Sequence, residues 1–118
     1  MPEASAAAQK PLTPSVFQIL LALAGDEMHG YAIMRQVSES SGGQVKLGPG
    51  TLYYSIQRML DKGLIAEAEE RPAPDADDER RIYYRITEAG RLVAAAESHR
   101  LAALVELARD RDFLRDES

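Results

Sequence analysis

Cysteine and tryptophan are both absent from this chain. The first absence removes disulfides, thiolate zinc sites and cysteine nucleophiles together. The second, with aromatic residues at only 6%, leaves little from which to build stacking recognition of a planar ligand. Long apolar runs are missing too. The longest, Ile19 to Ala24, is far short of the roughly 20 residues that a membrane span needs. Residues 1–9 hold no Lys or Arg and no apolar stretch of signal-peptide length, so the cytoplasm is the expected compartment and no membrane partner is expected. The two histidines, His29 and His99, lie far apart in the sequence. Asp75 to Glu79 lacks the glycine and terminal glutamate of a calcium loop, and Gly48-Pro49-Gly50 lacks the Lys-Ser/Thr of a P-loop. No serine sits in a nucleophile elbow. We therefore expect no catalytic residues, no metal and no cofactor.

What is present fits one compact domain. The chain has 118 residues, 45% hydrophobic and 28% charged, with a formal net charge of −5. Residues 1–12, small, polar and bounded by Pro, read as a flexible tail. Thr13 as N-cap and Pro14 at the first helical position predict a helix. Its stripe is Val16, Ile19, Leu20 and Leu23, and Gly25 ends it. Phe17 and Leu21 lie off that stripe, so this helix is apolar on more than one side and calls for a partner. A second helix is expected from about His29 to Glu39, with Ile33, Met34 and Val37 inward. A third starts at Pro49, with Leu52, Ile56, Met59 and Leu60 inward and Gly63 as its C′ residue.

The period then changes. Ile65 to Glu70 and Arg81 to Thr87 alternate, which predicts two strands joined by a long loop. Ile82, Tyr84 and Ile86 are expected on one face, Arg81, Tyr83 and Arg85 on the other. Thr87 can cap a last helix running to about Asp110, after which Arg109 to Ser118 is expected to fray. Leu92, Ala96, His99, Ala103 and Leu107 form one stripe along it, with Leu101, Leu104, Val105 and Ala108 beside it. Three helices, a hairpin and a long helix make a mainly α fold with a small β wing, a winged helix-turn-helix. The expected units are 13–87 for the winged domain and 88–110 for a dimerisation helix, with 111–118 as a second tail.

The outward face of the third helix carries Thr51, Tyr54, Gln57 and Arg58, with Tyr53 on its flank. Hydroxyls and amides bond base edges and phosphates, Arg pairs with guanine or phosphate, and a helix start attracts phosphate. Lys46, Pro49 and Gly50 lead into that start. Arg80, Arg81 and Tyr83 on the wing strand could follow a phosphate backbone. Against this, the helix face could be merely solvated, and Glu67 and Glu69 could pair with the wing arginines. From Lys46 to Gly90 seven basic residues stand against nine acidic ones, and the acidic stretch Asp75 to Glu79 would repel phosphate. A winged helix used for protein contacts is the rival reading.

Several motifs in order resemble the PadR family of transcription regulators. His29-Gly30-Tyr31 resembles its HGY signature. Gly50-Thr51-Leu52-Tyr53, Arg58-Met59-Leu60 and Lys62-Gly63-Leu64-Ile65 resemble the run through its recognition helix. Arg81, Tyr83-Tyr84 and Ile86-Thr87-Glu88-Ala89-Gly90 resemble its wing-to-helix segment. The resemblance implies a repressor-like regulator that binds double-stranded DNA as a homodimer. The last helix would pack on the partner's first helix, through Phe17, Leu21, Leu92, Ala96, His99, Ala103, Leu104 and Leu107. It also implies room for a small-molecule effector at the dimer interface. Gly48 departs from the hydroxyl residue that relatives often carry before Pro-Gly.

Overall fold

A computed structural model of the chain describes residues 10–72 and 80–115. Along these run α1 (Pro14–Gly25), β1 (Met28–His29), α2 (Gly30–Ser40), α3 (Pro49–Asp61), β2 (Ile65–Pro72), β3 (Arg80–Ile86) and α4 (Glu88–Asp110). The winged helix-turn-helix expected from the sequence is present, with one addition. The strand order β1-β3-β2 makes the wing a three-stranded antiparallel sheet, because Met28 and His29 pair with Tyr84 and Tyr83.

The helix ends follow from their capping residues. Thr13 and Thr87 accept N–H bonds from Val16 and Gly90 and so fill orphan donors at the starts of α1 and α4. His29 does the same for α2, its Nδ1 accepting from the Ala32 N–H at 3.2 Å. Gly63 takes a left-handed φ of 74°, which a side chain would resist. That turn lets Gly63 and Leu64 donate to Leu60 and Met59 and close α3. Beyond α4 the described residues continue into a turn. Asp112 turns at φ 68°, and the Phe113 N–H returns to the Ala108 carbonyl at 2.9 Å.

The core gathers Ile19, Leu20 and Leu23 from α1, Ile33 and Val37 from α2, and Leu52, Ile56 and Met59 from α3. Ile65, Tyr84 and Ile86 close it from the sheet. Each apolar side chain so buried contributes roughly 1.5–3 kcal/mol, before the entropy of ordering the chain is subtracted. A continuous run of such contacts from α1 to β3 is what fixes the two outer elements, α3 and the wing, relative to each other.

One buried charge stands out on α4. Glu97 is 2% exposed and accepts from the Leu12 N–H at 3.3 Å, while Arg100 donates to both of its carboxylate oxygens. Leu12, expected within a flexible tail, is thereby tied to α4 and packed against the core. The Arg100 hydrogen bond chiefly holds the Glu97 carboxyl below its ordinary pKa; the Leu12 N–H and the Arg100 charge add to this, and burial opposes it. A depressed carboxyl contributes stability above the ordinary carboxylate range and loses it as pH falls through the lowered value. Glu97→Gln should therefore lower Tm at pH 7, with the gap to wild type narrowing as pH drops below about 4. Thermal melts between pH 7 and 3.5 check this, and a gap that does not change with pH would contradict it.

Candidate nucleic-acid interface

The rotation of α3 about its axis is set by what it buries. Leu52, Ile56 and Met59 point into the core. At 100° per residue the intervening positions must then face outward. Pro49, Gly50, Thr51, Tyr53, Tyr54, Gln57 and Arg58 are all exposed, as is Lys46 in the approach to the helix. Tyr54 is 65% exposed, with the Arg58 guanidinium 5.8 Å from its ring centroid. Gln57 donates to Asp61 at 3.2 Å one turn along. Gly48 is the N-cap and offers no side-chain acceptor, so the first N–H groups of α3 keep bonding capacity for an outside acceptor.

Tyr53 lies across the start of α2. A Cβ added at Gly30 would fall 2.2 Å from the Tyr53 hydroxyl oxygen and 2.7 Å from Cζ, closer than any real contact allows. The glycine of the His29-Gly30-Tyr31 motif is what leaves room for the tip of the Tyr53 ring over the start of α2. A cavity of about 300 Å³ opens beside this contact, lined by His29, Gly30, Tyr53, Glu70, Arg81 and Tyr84 among others. It brings α3 and the wing to one place. Burial, with the neighbouring Tyr53 and Glu67, raises the Tyr84 pKa and keeps that phenol protonated, able to donate.

The wing corrects the expected burial. Tyr83, expected outward beside Arg81 and Arg85, is 6% exposed and meets the His29 ring edge-on, with centroids 5.3 Å apart. The cause is β1, which pairs with β3 and sets the His29 ring beside Tyr83 on the face away from Tyr84 and the core. Ile82, expected inward, is exposed instead. An extra residue in β2 between Glu67 and Glu70 shifts the register against β3 there, and such a bulge bends the strand. Arg85 is exposed and Arg81 half-buried. The side chain of Arg80 and the acidic stretch Asp75 to Glu79 lie outside the described residues.

Two residues on α2 join this surface: Arg35, which the sequence had not singled out, and Tyr31, marked there only as part of the His29-Gly30-Tyr31 motif. Tyr31 is exposed, with the guanidinium groups of Arg35 and Arg81 at 5.4 Å and 6.0 Å from its ring centroid. The Tyr31–Arg35 spacing of i and i+4 was a readable signal for the first contact. The second needed the fold.

The expected dimer stripe is open to solvent. Leu92, His99, Ala103, Leu104 and Leu107 on α4 are exposed, and Ala96 is half-buried. The side of α4 that meets its own chain is instead Gly90, Val93, Ala94 and Glu97. On α1, Leu21 is exposed and Phe17 half-buried.

Comparison with known proteins bears on this surface. The model of the Transcriptional regulator PadR-like family matches residues 19–96. A PadR family transcription regulator from Clostridium difficile superposes with a TM-score of 0.69 at 23% identity, covering 83% of this chain and 97% of that one. Bacillus subtilis PadR, solved in complex with operator DNA, superposes with a TM-score of 0.56 at 20% identity over 68% of this chain and 44% of its own. An uncharacterized 37.1 kDa protein in transposon Tn4556 of Streptomyces fradiae is 36% identical over 86 residues, 73% of this chain. The chain spans about a fifth of that relative, whose covered share is 22%.

The Gly30–Tyr53 contact is testable by a double-mutant cycle. Gly30→Ala should cost about 1–3 kcal/mol by forcing the Tyr53 ring aside. With Tyr53→Ala already made, the same change should cost far less, giving a coupling above about 0.5 kcal/mol in denaturant unfolding. Additive effects would contradict the close approach.

Proposed function

Because the chain belongs to the PadR-like family of transcriptional regulators, we propose that it binds double-stranded DNA as a homodimer and represses transcription from a pseudo-palindromic operator. The observation that carries this is the outward row of α3. A core-anchored helix that exposes Thr51, Tyr54, Gln57 and Arg58 presents hydroxyl, amide and guanidinium groups along one face. Those groups suit base edges and phosphates in a major groove. Tyr53 would hold the flank, Pro49 would open the helix so that the backbone N–H groups of Gly50 and Thr51 meet a phosphate, and Lys46 would approach the same strand. Arg81, with Tyr31 and Arg35 nearby, would follow the backbone beside the groove, and Arg80 precedes it in the strand. Residues 13–87 would be the DNA-binding unit and 88–110 the dimerisation helix. Tyr83 is left with a structural role, holding the wing to α2.

Dimerisation is supported by unsatisfied apolar surface. Leu92 is 63% and Leu104 51% exposed on α4, in a helix that its own chain covers on one side. Contiguous apolar surface of this kind marks an interaction site. A second copy would cover it with its α1, through Phe17 and Leu21, against Leu92, Ala96, His99, Ala103, Leu104 and Leu107. Leu104→Asp places a charge in that seam and should yield a monomer or an unfolded chain. Sedimentation at micromolar concentration reads this, and a wild-type monomer would overturn the assembly.

The formal net charge of −5 favours one rival, a winged helix that contacts proteins. Salt separates the two. Specific DNA binding should lose affinity steeply with salt, each phosphate contact adding about 0.9 to the slope. Arg58→Ala and Tyr54→Ala should each weaken operator binding by roughly 1–3 kcal/mol with the fold intact. Fluorescence anisotropy on operator and random DNA measures both. Mutants that bind as tightly as wild type would remove α3 from the groove.

A further inference from the structure

A second cavity lies on the other flank of α3, where the chain enters α1. Its volume is about 280 Å³, and its lining divides by chemistry. Leu12, Val16, Met59 and Leu64 form an apolar floor continuous with the core. Arg58 and Lys62, one helical turn apart, stand on the rim with Tyr54. Like charges at i and i+4 repel by a few tenths of a kcal/mol. Among the described residues no carboxylate forms an ion pair with either cation. The nearest acid in sequence, Asp61, accepts from Gln57 instead. The wall at Leu12 is fixed by its bond to Glu97.

We propose that this cleft binds a small amphipathic anion, a carboxylate on an aliphatic body, and that its occupancy competes with DNA. The aliphatic floor selects the body: four non-aromatic side chains line it, and Tyr54 supplies one ring at the edge. The two cations select the head, since a carboxylate between Arg58 and Lys62 gains charge-assisted hydrogen bonds and relieves their repulsion. Such a ligand engages Arg58 and covers Tyr54, two of the groups assigned above to DNA. The competition thus rests on that assignment, whereas the binding site does not. By linkage, DNA must weaken the ligand by the same factor by which the ligand weakens DNA.

Octanoate is a suitable probe, with octanamide and inorganic phosphate as controls, on the full chain labelled with ¹³C at methionine methyl groups. Octanoate should shift the Met59 methyl resonance to saturation. Octanamide, without the charge, should bind about tenfold more weakly, and phosphate, without the chain, should leave Met59 unmoved. Lys62→Gln should weaken octanoate by about threefold or more. No shift at Met59 overturns the site, as does a shift that octanamide, phosphate or the Lys62→Gln protein reproduces at equal concentration. At tenfold above its own dissociation constant, octanoate should raise the operator Kd about elevenfold if binding is exclusive. Octanoate bound at Met59 with operator affinity unchanged overturns the competition. A protein with no operator affinity at all would refute the DNA assignment, while the Met59 titration decides the cleft by itself.

Discussion

The burial of Leu52, Ile56 and Met59 fixes how α3 is turned, and each feature of the outer surface depends on that rotation. Truncating any of the three would cost about 2–5 kcal/mol by opening a cavity in a close-packed core. That is a large share of the 5–15 kcal/mol that holds a domain of this size together. With those side chains inward, Thr51, Tyr54 and Arg58 have no choice but to face out. Tyr53, on the flank, is brought against Gly30 at the start of α2. A turn of one residue would bury the polar row and expose the core, so the same contacts that stabilise the fold specify the face offered to a partner.

Around that helix the chain places two clefts with different chemistry. The one toward the wing is lined by His29, Tyr53, Glu70, Arg81 and Tyr84, ionisable groups in the main. The one toward α1 has an aliphatic floor and a cationic rim. Glu97 links the second cleft to α4, because the carboxylate that Arg100 holds also fixes Leu12. The helix proposed to carry dimerisation is therefore in hydrogen-bond contact with a wall of the cleft beside the proposed recognition helix.

Much of this was legible in the sequence, for local reasons. Thr13, Pro14, Thr87 and Gly63 act through bonds within three or four residues, so their roles at helix ends could be read directly. The apolar spacing of α3 and the excess apolar stripe on α4 are likewise periodic signals. The failures were tertiary. β1 is two residues long, too short to show a period, and it is what buries Tyr83. Ile82 keeps its place in the alternation of β3 but lies past Tyr84, the last residue of that face to reach the core, and so is exposed. Gly30 could be seen as part of a motif, but its purpose is visible only when Tyr53 is found above it. Glu97 looked like any solvated helix residue until its partners on Leu12 and Arg100 were in view.

The proposed two-fold assembly would present two copies of α3 to one duplex. Hydroxyl-radical footprinting on the DNA upstream of the protein's own gene tests that most directly. It should reveal two protected patches related by pseudo-symmetry, centred one helical turn of roughly 34–36 Å apart or a multiple of it. A single unpaired patch, or no protection at protein concentrations where the dimer is complete, would contradict it.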